Sequence, residues 1–201
     1  HQHRPRSAPG EDSRPSGALI FFKLGVEHIL TGYDHLLFLF GLLVVCSRWQ
    51  PIVGIVTSFT LGHSITLIAA TLDWLSLPAA FVEPAIAASI VYVGAENLLR
   101  RGAEPRGRGI VTFLFGLEHG FGFAGLLRDL GVAEAPGGLV VPLLSFNLGV
   151  ELGQLAVAAA AVPLMQWAKR RNVLTTRGVL VLSALVGLAG LYWFVDRTLL
   201  G

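Results

Sequence analysis

The sequence predicts an all-α integral membrane protein of six transmembrane helices arranged as a 3+3 inverted repeat. Three observations lead there. Only 14% of the 201 residues are charged, against about 25% in soluble domains. Six apolar segments, at about 18–46, 50–72, 78–99, 109–128, 138–168 and 175–199, are each long enough to cross about 30 Å of hydrocarbon and leave no polar face for water. Short motifs also recur in order: GVEH at 25–28 returns as GLEH at 116–119, and SFTLGHS at 58–64 returns as SFNLGVE at 145–151. Segments one and two thereby match segments four and five. Three helices per copy is an odd number, so the second copy enters the bilayer from the opposite face.

Residues 1–17, HQHRPRSAPGEDSRPSG, are polar and rich in Pro, Ser and Arg, the composition of a disordered lead-in. A free amino terminus with His1 and His3 would suit square-planar Cu(II) or Ni(II). Residues 18–201 form the transmembrane domain. Its first segment holds Glu27, His28, Asp34 and His35, although a charge at a helix centre in the bilayer costs on the order of 2.5–3.5 kcal/mol. Residues seven apart lie on nearly one helix face, so His28 and His35 share a stripe, with Glu27 and Asp34 on an adjoining one.

The second segment adds Phe59 and His63 among Thr60, Ser64 and Thr66; the third adds Glu83 just before Pro84, near the outer end. The fourth adds Glu118 and His119. The fifth adds Asn147, Glu151 and Gln154, spaced four and three and therefore pointing one way. The sixth offers almost nothing polar, so the cluster is expected from helices one to five.

Loops one, three and five hold nine Lys and Arg residues, while loops two and four hold only Arg128. That bias places the odd loops in the cytoplasm and both termini outside, an arrangement that fits a cleaved export signal. Trp49, Trp74 and Trp193 at segment ends suit an interfacial belt. Glu96 and Asn97 read as interfacial, and Gly116, Gly120 and Ser89 as residues that let helices approach closely.

The donor set is imidazole and carboxylate, which suits Ni, Zn, Co, Fe or Mn. Cys46 is the single cysteine and Met165 the single methionine, so neither a disulfide nor a sulfur-rich Cu(I) site is available. A net charge of +2 is too small to point to nucleic acid; the partners expected are a metal ion and the lipid bilayer. Carboxylates around a cation are no longer unpaired, which explains how this segment tolerates them. Plainer readings exist for single residues. Any one histidine could be a hydrogen-bonded packing residue, Glu27 could pair with Lys23, and Glu83 could be a helix-start carboxylate favoured by the dipole. Four histidines on converging helices are harder to read that way.

The elements HILTGYDH, FTLGHSIT, FGLEHGFGFAGLL and FNLGVELGQ, in that order, resemble the HupE/UreJ family of bacterial membrane proteins from residue 18 onward. The resemblance implies a nickel or cobalt permease of the inner membrane. It maps the family's first-helix motif onto His28, Asp34 and His35, its second-helix element onto Phe59 and His63, its third-helix acid onto Glu83 and its fourth-helix histidine onto His119. Nickel-permease members often carry an acid shortly after that last histidine; here HGFGFA has none, and Glu118 precedes it.

Two functions are compatible with these residues. A divalent-metal permease, for nickel, cobalt or zinc, would hold its ion near the midplane with His28, Asp34, His35, His63, His119 and Glu151. Around them Glu27, Phe59, Glu83, Glu118, Asn147 and Gln154 would support the site or its entry. A membrane-embedded zinc hydrolase would instead use three histidines with an open fourth position, and Asp34, Glu118 or Glu151 as general base.

Overall fold

The computed structural model describes residues 17–46, 48–103, 107–129 and 138–199; the lead-in with His1 and His3, and Arg106 of loop three, lie outside the described residues. Every element among the described residues is an α-helix: α1 (Gly17–Thr31), α2 (Tyr33–Leu43), α3 (Trp49–Thr71), α4 (Ala79–Leu99), α5 (Arg108–Asp129), α6 (Val140–Arg170) and α7 (Thr176–Leu199). Helices α3 to α7 begin and end within two residues of the apolar segments at 50–72, 78–99, 109–128, 138–168 and 175–199.

The first segment is not one helix. It breaks at Gly32, whose φ of −77° and ψ of 92° leave the helical region, and α2 restarts without a side-chain cap. Glycine is the poorest helix former after proline, by about 1 kcal/mol against alanine. A Cβ at this position would also lie 2.6 Å from the His28 carbonyl oxygen and 3.0 Å from His35 Nδ1, so the break is fitted to the histidines on either side of it.

Four helices, α3, α4, α6 and α7, are long and apolar enough to cross a membrane, and α2 is a shorter apolar helix. The first segment does not count among them because the break divides it into helices of 15 and 11 residues.

Three helix pairs carry most of the packing: α3 with α5, α4 with α7, and α1 with α6. Close approach of small residues explains them. A Cβ on Gly116 would strike the Phe59 carbonyl oxygen and one on Gly62 the Phe113 carbonyl oxygen; likewise Gly25 sits on the Phe146 carbonyl and Gly149 on the Phe22 carbonyl. Gly120 rests on His63 as Gly116 rests on Phe59, so α3 and α5 run parallel. Helices α1 and α6 are parallel by the same criterion, with Gly25 at Phe146 and Gly153 at Ile29. Helices α4 and α7 run antiparallel, since Gly94 meets Gly187 while Gly190 meets Ile90.

The C-terminal end of α2 is clamped. Asn97 Nδ2 donates to the Gly41 carbonyl at 2.8 Å, Arg108 Nη1 to that of Leu42 at 3.1 Å, and Lys169 Nζ to that of Val44 at 3.0 Å. Arg108 also donates to Asn97 Oδ1 and to Glu96 Oε2. Asn97 is fully buried and is a core group of this clamp.

Candidate metal centre

Four helices bring four imidazoles together: His28 from the last turn of α1, His35 from the first turn of α2, and His63 and His119 from the interiors of α3 and α5. The ligand nitrogens of His28, His35 and His63 all lie within 4.8 Å of one another. His119 joins through His35, with ring centroids 4.8 Å apart. Tetrahedral coordination at about 2.0–2.1 Å per imidazole nitrogen would draw these atoms closer together.

The Nε2 atoms of all four histidines are buried and have no hydrogen-bond partner among the described residues. Their other nitrogens explain which tautomer is held. His119 Nδ1 lies 2.8 Å from the Phe115 carbonyl oxygen, which can only accept, so Nδ1 carries the proton and Nε2 the lone pair. His63 Nδ1 faces Asn147 Oδ1 at 3.3 Å, and Asn147 Nδ2 is turned away to the Leu143 carbonyl, so the same assignment holds there. An imidazole whose far nitrogen donates to an oxygen while its near nitrogen stays bare is the arrangement of a metal ligand.

Aromatic rings wall the cluster. Phe59 stands 5.1 Å from His119, 6.0 Å from His35 and 6.1 Å from His63. Phe38, Phe123 and Phe146, which the sequence did not single out, pack against His119 and His28.

The carboxylates sit differently. Asp34 is held by Arg197, whose Nη2 lies 3.1 Å from Oδ1 and 2.9 Å from Oδ2. Glu151 accepts a hydrogen bond from Thr57 at 2.8 Å, and Gln154 accepts from Thr60 at 3.4 Å, forming with His63–Asn147 a ladder of polar bonds between α3 and α6. Glu118 leaves Oε2 without a partner and lines a cavity of about 160 Å³ with Leu77, Phe81, Val82, Ala85, Leu117 and Phe121. Glu27 and Glu83 are exposed; no ion pair joins Glu27 to Lys23 among the described residues, and Glu83 contributes its backbone carbonyl to Arg197.

The sixth segment is therefore not devoid of site chemistry, because Arg197 in its last turn reaches Asp34. One signal in the sequence marks it: a lone arginine at the membrane end where the charge bias expects few. Thr57, a threonine within an apolar run, carries no such signal.

The model of the family described as HupE / UreJ protein matches residues 7–197. The chain belongs to the HupE/UreJ family. No curated protein and no solved structure matches it. Membership of the HupE/UreJ family and the apolar helices together make this a multi-pass membrane protein, and the three-histidine group gives it a place where a metal ion can bind.

Proposed function

We propose that this protein is a membrane permease for a divalent transition metal, nickel foremost with cobalt and zinc as further candidates. It would take the ion at mid-depth on His28, His35 and His63, with His119, Asp34 and Glu151 available as later or alternative ligands. The observation that carries this reading is the set of four buried, unpartnered Nε2 atoms converging from four helices. An imidazole and carboxylate set can bind and then release a divalent ion, as transport requires. Cys46 and Met165 belong to the hydrophobic core and leave no sulfur for Cu(I).

The proposed architecture is six crossings, with α1 and α2 together making the first, in two inverted halves. Exchanging the halves maps the α1–α6 pair onto the α5–α3 pair and α4–α7 onto itself. The glycine contacts obey the same exchange: Gly25 on Phe146 becomes Gly116 on Phe59, and Gly149 on Phe22 becomes Gly62 on Phe113. We assign the odd loops to the cytoplasm and both termini to the periplasmic side of a bacterial inner membrane, on the loop charge bias. Residues 18–201 would then be one transmembrane domain behind a periplasmic lead-in. The α1–α6 pair brings His28 and Glu151 and the α3–α5 pair brings His63 and His119, so rocking one pair against the other would open or close the site. The membrane potential favours entry of a cation by about 2.3 kcal/mol per charge per 100 mV.

A zinc hydrolase built on the same three histidines would need a general base beside the metal. Among the described residues no carboxylate joins the group of ligand nitrogens formed by His28, His35 and His63, so no base stands in place and transport is the better-supported reading. Uptake into proteoliposomes offered Ni, Co, Zn and Mn separately tests it. Saturable flux is expected for wild type and should be lost in both His35→Ala and His119→Ala. Tightly bound metal with no flux of any ion would overturn transport in favour of the enzyme.

A further inference from the structure

The contact that the proposed function leaves unused is the one between Asp34 and Arg197. Asp34 directly precedes His35 at the N-terminal turn of α2, yet its carboxylate is committed to a residue from the last turn of α7. The pair is largely enclosed, with the two side chains about one-fifth to one-quarter exposed, and it lies within electrostatic reach of His119. Resting on the permease reading, we propose that Arg197 is a built-in substitute cation: it occupies Asp34 while the site is empty, and an entering divalent metal must displace it before Asp34 can become a ligand.

The geometry of the bond suits exchange. One nitrogen, Nη2, bridges both carboxylate oxygens, in place of the two-nitrogen fork that makes arginine–carboxylate pairs hardest to separate. Arg197 also has somewhere to stay once released. Its Nη1 donates to the Glu83 carbonyl at 3.2 Å, its guanidinium lies 5.6 Å from the centre of the Trp193 ring, and it sits at the C-terminal end of a helix, where positive charge is favoured.

The arrangement meets a requirement of any permease. A carboxylate inside the membrane that lost its ion would be left uncompensated, and the ion would be held too tightly to leave. A tethered guanidinium that returns to Asp34 drives release and resets the site. It also selects by charge: a divalent ion brings two positive charges against one on Arg197, whereas a monovalent ion gains nothing by the exchange.

The test is Ni(II) binding to the full-length protein in detergent, with uptake measured in parallel. Arg197→Gln should bind nickel on the order of tenfold more tightly, within the usual range for coupled sites, and should turn over more slowly. Arg197→Lys should stay close to wild type. In an Asp34→Asn background, Arg197→Gln should bring no further tightening. A second arm uses the unmodified protein: phenylglyoxal should label Arg197 faster with nickel bound than without, as read by mass spectrometry. Unchanged or weaker affinity in Arg197→Gln, or labelling that nickel does not accelerate, would overturn the inference and leave a structural ion pair. A wild type that binds none of the metals would overturn the permease reading and this inference with it.

Discussion

His63 shows how one side chain is prepared for a cation. It has no exposed surface, and one of its nitrogens is fixed by Asn147 while the other points at the cluster. Removing that fixing partner should matter although Asn147 touches no metal. In Asn147→Leu the Nδ1 proton loses its acceptor, the ring is free to turn and the tautomer is no longer specified, so nickel affinity should fall about 10–100-fold. Titration of the purified variant against wild type checks this, and an unchanged Kd would show that Asn147 is only a helix-packing residue. The four histidines could be found from sequence because polar groups at membrane depth are conspicuous against an apolar run. The partners of Asp34 and Glu151 could not, because helical phase says which way a side chain points along its own axis but not which neighbour meets it. Arg197 and Thr57 both come from segments far away in sequence.

Helix α2 is the element that the sequence concealed. Hydropathy is continuous across 18–46, so the segment reads as one helix, and a single glycine in an apolar run is an ordinary sight in membrane helices. Only tertiary placement distinguishes Gly32 from its neighbours, by setting it against the His28 carbonyl and the His35 ring. Once separated from α1, which packs along α6, α2 depends on other helices for its position. Arg197 holds its first turn, and Asn97, Arg108 and Lys169 hold its last carbonyls. Arg108 is the centre of that clamp, 4% exposed and bonded to Leu42, Asn97 and Glu96 together. From the sequence it was only one more positive charge in loop three. Arg108→Ala would leave the buried Asn97 Oδ1 without its donor and take one donor each from Glu96, which keeps Arg100, and from the Leu42 carbonyl, a loss of about 1–3 kcal/mol of stability. Thermal unfolding in detergent should show a markedly lower midpoint. A midpoint equal to that of wild type would mean that α2 is held by its apolar contacts alone.

At the scale of the whole molecule, the recurrence of GVEH and SFTLGHS acquires a physical meaning. The repeated glycines and phenylalanines are the residues at which the paired helices touch, Gly25 on Phe146 and Gly116 on Phe59. The recurring motifs are legible where close packing constrains residue size; the third and sixth segments, whose contact is made by Gly94 and Gly187, carry no matching motif. In the proposed inverted repeat His63 has Val150 as its counterpart and Ser64 has Glu151, so the two halves would share a scaffold but divide the chemistry between them. The inversion makes a prediction about sidedness. The loop between α3 and α4 and the loop between α6 and α7 are equivalent positions in the two halves. They must face opposite sides of the membrane if the second half is inverted, and the same side if it is a direct repeat. Leu75 and Val173 are exposed residues, one in each loop. In a Cys46→Ser background, Leu75→Cys should react with an impermeant maleimide added to intact cells, and Val173→Cys only after the membrane is opened. Labelling of both from one side would remove the inverted repeat. The reverse pattern would keep the repeat but turn the molecule over, placing Lys169, Arg170 and Arg171 outside against the charge bias and moving the Asp34–Arg197 pair from the entrance of the path to its exit.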